Sequence, residues 1–269
     1  MKGKSLLIFP ATIALAIGIL SCGGGGQQSE TPAGAPAATA TGKPVDAATA
    51  GSISGTVKLD GAAPKMKVIN MAAEPVCAKE HTTPAMTQDV VVGTGGALQN
   101  VVVYLKGDFS QYSFDPATTP VVIDQKGCQY NPHVIALRVG QPLNVTNSDQ
   151  TTHNIHPVPA NNREWNQSQP PGSAPLNESF AREEDTPPIP VKCNVHPWMK
   201  SYIAVVGNPY FQVTGGDGSF SLKNVPPGTY TLTAWHESYG AMDQSITVGA
   251  SEAKSGIAIT FKPKAGGAD

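Results

Sequence analysis

The sequence predicts an all-β protein. Short runs rich in Val, Ile, Thr and aromatic residues recur along the 269 residues, separated by turns containing Gly, Pro or Asp. After the N-terminal region, no segment carries the apolar period of a long helix, so helix content is expected to be small. Evenly spaced short strands of this kind are typical of β-sandwiches. The chain is long enough for one or two such domains.

Residues 1–21 have the layout of a secretory signal peptide. Two lysines precede a run of mostly apolar residues between positions 6 and 20, and Cys22 follows. This segment resembles a bacterial lipoprotein signal, which implies that Cys22 is lipidated and anchors the protein to a membrane. An uncleaved transmembrane anchor is the alternative, but the apolar run is short for a full span. The expected location is the periplasmic side of an outer membrane or the cell surface.

Residues 22–50 are dominated by Gly, Ala, Thr, Gln and Pro and contain almost no large apolar side chain. Such a segment cannot bury enough surface to offset the entropy of ordering it, so we expect a disordered linker. The net charge is −2 and no basic run is present. Nucleic acid is therefore not an expected partner.

Four side chains from two distant segments form a candidate copper ligand set. The motif Cys193-Asn-Val-His196-Pro-Trp-Met199 supplies a thiolate, an imidazole and a thioether, and His153 supplies a second imidazole. A trigonal set of two His and one Cys with a weak axial Met is the ligand combination of an electron-transfer copper site. His156 is an alternative ligand, but it faces the opposite side of a strand from His153.

The expected strands bring these ligands within reach of one another. Residues 189–193 and 201–206 are expected to be strands, so the ligand loop between them can fold back onto one metal ion. His153 follows another expected strand at 142–146 and has to approach from a neighbouring strand end.

Three motifs in residues 120–207, about a third of the chain, carry a family resemblance. They are Leu137-Arg-Val-Gly140-Gln-Pro-Leu-Asn-Val-Thr-Asn147-Ser-Asp149, His153-Asn-Ile-His156 and Cys193-x2-His196-x2-Met199. The segment resembles the cupredoxins, the blue copper proteins, and within them the amicyanin and plastocyanin type. The resemblance implies a Greek-key sandwich with one type 1 copper ion. It assigns the ligand roles to His153, Cys193, His196 and Met199.

Three further residues are candidates to support the site. In similar proteins the residue after the first histidine bonds across to the cysteine loop, which is the role expected for Asn154 unless it is an ordinary turn residue. Pro197 restricts the backbone after His196. Trp198 is expected either to form an apolar docking surface around an exposed imidazole edge or to pack in the core. Val191 stands where many cupredoxins carry an aromatic residue, which leaves the packing beneath the site open.

Cys77 and Cys128 remain after the lipid and metal cysteines are assigned. An even pair in an exported protein favours a disulfide. It would close a loop of about 50 residues and contribute on the order of 4 kcal/mol in the chain-entropy model. The alternative is a second metal site formed by Cys77, His81 and perhaps His133.

Strands are also expected on both sides of the copper segment. They fall at 53–59, 100–105, 218–222, 228–235, 245–248 and 256–261. With the turns Gly216-Asp-Gly218 and Pro226-Pro-Gly228, this pattern resembles the carboxypeptidase regulatory-like (transthyretin-like) sandwich. The resemblance implies a folding or docking accessory without catalytic residues.

We expect the copper domain, 120–207, to be inserted into a split sandwich of residues 51–119 and 208–264. The alternative is a sequential arrangement in which 52–118 is an N-terminal extension of the copper domain. Pairing of strand 53–59 with the C-terminal strands would favour insertion.

The expected function is one-electron transfer by an exported lipoprotein, with a redox partner such as a cytochrome or an oxidoreductase. The chain is not expected to be an enzyme, because a copper oxidase or reductase needs an open coordination position and further metal centres. The alternatives are a copper-binding or delivery protein without redox shuttling, and a structural surface lipoprotein with a vestigial site. Delivery proteins usually use open Met- or His-rich sites, whereas the six Met of this chain are not clustered.

Overall fold

The computed structural model describes residues 42–263, and the all-β fold class is confirmed in them. One short α-helix, α1 (Pro75–Lys79), and one 3-10 turn at Thr94–Gly96 accompany the strands in this part of the chain. The strands are β1 (Lys43–Pro44), β2 (Gly51–Leu59), β3 (Val102–Lys106), β4 (Tyr112–Ser113), β5 (Val121–Gln125), β6 (Tyr130–Asn131), β7 (Val134–Arg138), β8 (Leu143–Asn147), β9 (His153–Pro157), β10 (Gln167–Gln169), β11 (Leu176–Glu178), β12 (Glu184–Lys192), β13 (Lys200–Val206), β14 (Phe211–Val213), β15 (Ser219–Val225), β16 (Gly228–His236), β17 (Gly240–Val248) and β18 (Ala253–Phe261).

One sandwich, here called the outer sandwich, is built from strands near both ends of the described chain. Its sheets have the orders β14-β3-β16-β17 and β15-β2-β18. Strand β2 pairs antiparallel with β15 and parallel with β18, and β3 pairs antiparallel with β16. This pairing is the one expected for an insertion, because the N-terminal strands share sheets with the C-terminal strands.

Strands β5 to β13 build a second sandwich, here called the inner sandwich. Its main sheets have the orders β10-β9-β12-β13-β7 and β11-β8-β5-β6. In β13, Ile203 and Val205 face the inner core, whereas Ala204 and Val206 face the opposite side. Both faces of β13 are covered, which explains its continuous apolar sequence.

The opposite face of β13 packs against the outer sandwich. Val102, Tyr104 and Trp235 of the outer sandwich form one buried cluster with residues of β7 and β13. Charged contacts border this cluster, since Glu237 after β16 contacts both His133 and Lys200. The two sandwiches are therefore joined by an apolar layer and a partly buried ionic network.

Residues 69–86, between β2 and β3, are called the covering segment because they lie on the inner sandwich. Ile69, Met71, Cys77 and Ala85 are buried in the inner core. A disulfide joins Cys77 to Cys128 of the inner sandwich. The covering segment therefore departs from the expected domain boundary, which assigned all of 51–119 to the outer sandwich. Its apolar side chains and the disulfide account for the difference.

The expected signal segment 1–21, Cys22 and most of the linker lie outside the described residues. The expectation of a disordered linker was wrong for residues 42–50, because β1 pairs with β4 and a hydrogen-bonded turn follows at Asp46. Within 42–263, no helix has the length and apolar character needed to cross a membrane.

Candidate metal centre

The structure brings together three of the four predicted ligand side chains at one end of the inner sandwich. His153 begins β9, Cys193 directly follows β12, and His196 lies in the loop between β12 and β13. One ligand atom from each residue lies within 4.8 Å of the others. Nδ1 of His153 is 2.9 Å from Nδ1 of His196. The three residues are 0%, 3% and 0% exposed, respectively, so they form a closed set of donors.

The ligand loop is held by its own backbone. The N–H of Cys193 donates to the carbonyl of Met199 over 3.2 Å, and the N–H of Met199 donates to the carbonyl of His196 over 3.0 Å. The N–H of His196 also points to Sγ of Cys193 at 3.3 Å. Pro197 lies exposed at the outer end of the loop. Met199 is 1% exposed and packs in the same core as Cys193, at the inner end of the loop.

Asn154 connects the two segments that carry the ligands. Its side-chain oxygen accepts the N–H of Asn194 over 2.7 Å and the thiol of Cys193 over 3.4 Å. Its side-chain amide donates to Asn166 over 2.6 Å. The hydrogen bond expected from Asn154 to the cysteine loop is therefore present.

Asp149 is a supporting residue that the sequence did not single out. Its Oδ2 accepts Nε2–H of His153 over 2.8 Å, which leaves Nδ1 of that imidazole directed toward His196. Metal-binding histidines commonly have a carboxylate on the second ring nitrogen. Asp149 lies four residues before His153, but no local pattern indicates that its side chain turns back to this ring.

The outer edge of His196 is covered, contrary to the exposed imidazole edge considered in the sequence analysis. Sγ of Cys77 lies 3.6 Å from Nε2 of His196, and a carboxylate oxygen of Glu74 lies 4.0 Å from the same nitrogen. The disulfide and α1 therefore take the place of solvent at this edge. The exposure hypothesis was wrong because it did not include the covering segment.

Trp198 supports this covered arrangement. Its ring is half-buried against His196, with the ring centres 5.2 Å apart. Its indole N–H donates to the carbonyl of Cys128 over 3.0 Å. This contact with the disulfide loop favours the packing interpretation of Trp198 over an exposed docking surface.

Tyr130 and Val191 belong to the same buried cluster of the inner core. Tyr130 is 1% exposed, and its hydroxyl donates to the carbonyls of Asn154 and Lys192 over 2.6 and 3.1 Å. An aromatic residue from β6 therefore contributes to the packing that the sequence left open at Val191.

Burial and hydrogen bonding shift the pKa values of the donor groups in different directions. Burial raises the pKa of Cys193, but hydrogen bonds from His153 and from backbone N–H groups outweigh it and hold that pKa below its usual value. Burial likewise opposes protonation of His153, but Asp149 and Cys193 raise its pKa. The pKa of His196 is lowered, first by burial and then by the neighbouring His153. The pKa of Cys193 is thus shifted in the direction of the thiolate, and that of His196 in the direction of the neutral imidazole.

Neither alternative ligand assignment from the sequence analysis matches the structure. His156 faces away from the cluster and contacts Asn194 and Glu164 at 3.1 and 2.6 Å. The second metal site suggested for Cys77, His81 and His133 is also wrong. Cys77 is in the disulfide, His81 contacts the carbonyl of Gly127 at 2.7 Å, and His133 pairs with Glu237.

The donor set of His153, Cys193 and His196 fits copper. A thiolate sulfur favours Cu(I), and imidazole nitrogens suit copper in its biological oxidation states. The buried thioether of Met199 lies on the same loop and adds a weak soft donor to the chemistry available. Enclosure in the inner core allows little rearrangement of these side chains.

Comparison with known proteins gives one family match and several structural similarities. The family described as polysaccharide lyase family 4, domain II, matches residues 194–255. No curated protein matches the chain.

Solved copper proteins are similar to part of the structure. A copper-containing nitrite reductase from Thermus scotoductus SA-01 has 18% identity and a TM-score of 0.30, covering 36% of this chain and 24% of its own. A mutant of amicyanin in its Cu(I) form has 19% identity and a TM-score of 0.28, covering 34% of this chain and 87% of its own. A purple cupredoxin from Nitrosopumilus maritimus has 22% identity and a TM-score of 0.27, covering 32% of this chain and 98% of its own. The chain thus spans about a quarter of the nitrite reductase.

Proposed function

We propose that this protein is a one-electron carrier with a type 1 copper centre. The observation that carries the proposal is the buried convergence of His153, Cys193 and His196, with one donor atom from each within 4.8 Å of the others. His153, Cys193 and His196 would hold the metal, and Met199 would add a weak thioether ligand. Copper bound there supplies a one-electron couple.

The surroundings of the donors suit electron transfer better than substrate chemistry. His153, Cys193 and His196 are each at most 3% exposed, so a substrate has no open path to the donor atoms. Asn154 and the backbone of the ligand loop hold the donors in place. A held, enclosed ligand set reorganises little when an electron enters or leaves, and we therefore propose a carrier and not an enzyme.

The proposed setting of this carrier is outside the cytoplasm. The lipoprotein-like segment ending at Cys22 supports an anchored protein at the periplasmic side of an outer membrane or at the cell surface. The disulfide between Cys77 and Cys128 is also typical of proteins exported to an oxidising compartment. The proposed partner is a redox protein. The outer sandwich is proposed to act as a carboxypeptidase regulatory-like accessory.

The test is to load the purified protein with copper and record its visible spectrum, metal content and redox behaviour. The proposal requires one copper per chain, intense thiolate-to-copper absorption and reversible one-electron reduction. A colourless protein that binds and releases Cu(I) without a stable Cu(II) form would overturn electron transfer in favour of copper delivery. Failure to bind copper would leave the structural-lipoprotein alternative.

A further inference from the structure

Asp149 is buried, with 2% of its surface exposed, and its carboxylate accepts three hydrogen bonds. Its Oδ1 accepts the N–H of Gly127 over 2.6 Å, and its Oδ2 accepts the N–H of Cys128 over 2.7 Å. The same Oδ2 accepts Nε2–H of His153 over 2.8 Å. Because all three partners are donors, this position requires an acceptor-only carboxylate.

The two backbone donors belong to the turn between β5 and β6. Gly127 and Cys128 have φ values of +64° and +51°, so both central residues of this turn are left-handed. That conformation suits a two-residue hairpin turn but is unfavourable for a non-glycine residue. The carboxylate of Asp149 receives both N–H groups and thereby holds Cys128 in this conformation.

Cys128 in turn holds the two groups that contact His196, the disulfide sulfur of Cys77 and the indole ring of Trp198. Its side chain forms the disulfide with Cys77, whose Sγ is 3.6 Å from Nε2 of His196. Its carbonyl accepts the indole N–H of Trp198, which packs on the same imidazole. Asp149 therefore contacts one proposed ligand directly and reaches the other through the disulfide turn.

We propose that Asp149 is a positioning residue that sets the orientation of both imidazoles, His153 by a direct hydrogen bond and His196 through the turn at Gly127–Cys128. This inference rests on the proposed metal function and adds to it a means of coordinating the two rings. An Asn at position 149 has one acceptor oxygen and one donor NH2 group, so it cannot satisfy all three donors.

The chain offers a matched control for Asp149→Asn. Asp124, on β5, accepts hydroxyl groups of Thr146 and Ser148 over 2.7 to 2.9 Å and contacts none of the proposed ligands. Asp124→Asn therefore makes the same chemical change at a second hydrogen-bonded carboxylate. Both variants lose one negative charge, so a difference in metal binding between them reports on the location of the carboxylate and not on net charge alone.

The first test uses Co(II), which binds thiolate and imidazole ligands and has a coordination-sensitive spectrum. Asp149→Asn is expected to weaken Co(II) binding by about 10–100-fold and change the spectrum, as loss of such outer partners does elsewhere. Asp124→Asn is expected to leave both unchanged. Wild-type affinity and spectrum in Asp149→Asn would overturn the proposal, even if that variant unfolded at a lower temperature.

A second test needs neither metal nor a folded variant. In the metal-free wild-type protein, nitrogen NMR at a pH where the ring is neutral should show His153 protonated at Nε2. A neutral ring protonated at Nδ1 would overturn the proposed role of Asp149. If the copper form is redox-inactive while both results hold, the electron-transfer function fails and the role of Asp149 stands.

Discussion

Sγ of Cys77 lies 3.6 Å from Nε2 of His196, so a disulfide meets the outer edge of this imidazole. His196 has no exposed surface. In the proposed carrier, an electron that leaves through this edge of the ring has to cross the disulfide or its covering segment, while Trp198 lies against the ring from the ligand loop. The route to a redox partner is therefore set by residues 69–86 as well as by the ligand loop.

Replacing both disulfide cysteines should lower stability and open this edge. For the Cys77→Ser, Cys128→Ser double variant, we expect the free energy of unfolding to fall by about 4 kcal/mol, because the disulfide closes a long loop. We also expect faster reduction by a small hydrophilic one-electron reagent, because the covering segment is no longer tied down. Urea titration and stopped-flow absorbance measure the two effects.

The wild-type protein with its disulfide intact is the reference for both measurements, and the double variant retains Cys193. An unchanged reduction rate in a folded, copper-loaded double variant would contradict the covering role of the disulfide.

Removing the side-chain acceptor of Asn154 should loosen the ligand loop. In Asn154→Leu, the N–H of Asn194 loses its 2.7 Å partner. We expect a loss of about 1 kcal/mol in unfolding free energy and about tenfold weaker metal binding, measured by urea titration and competition with a chelator.

Asn166→Ala is the matched control for Asn154→Leu, because it removes only the partner of the side-chain amide of Asn154. Equal metal affinity in Asn154→Leu and Asn166→Ala would show that the bond to Asn194 does not support the site.

His236 should make the protein less stable as the pH falls. Burial lowers its pKa to about 4, while the charges of Glu237 and Asp89 oppose this shift and His133 adds to it. The unfolded chain, with a pKa near 6.5, therefore takes up the proton first, and stability is lost as pH falls from about 6.5 toward 4. Between pH 7.5 and 5, the titration of His236 should lower the free energy of unfolding by about 2 kcal/mol.

His236→Gln removes the titrating ring and leaves the other ionisable groups. Urea titrations of the wild-type protein and the variant should therefore show a smaller loss of stability in the variant over that pH range. The same loss in both proteins would mean that His236 does not contribute to the pH dependence.

The local sequence was sufficient to predict many of the strands and the convergence of His153, Cys193 and His196. Alternation and turn residues located β2 and β16, and the short spacing from Cys193 to Met199 fixed a loop between two adjacent strands. His153 could be added because it follows a strand and carries a ligand type that completes the set.

The packing of the covering segment against His196 could not be predicted from local sequence patterns. The covering segment has one short helix and little strand character, so its sequence carries no period that indicates where it packs. The contact of Cys77 with His196 joins residues 119 positions apart. Pairing of the cysteines was inferred from their number and compartment, but neither indicates which side chain the disulfide contacts.

X-ray absorption at the copper edge tests the central claim most directly. For the copper-loaded wild-type protein, the account predicts two imidazole nitrogens and one short copper–sulfur distance in the first coordination shell. In Cys193→Ser, the short sulfur distance and the intense colour should both disappear while the fold is kept. A wild-type spectrum without a short sulfur distance, or a variant that keeps it, would contradict a copper centre held by His153, Cys193 and His196.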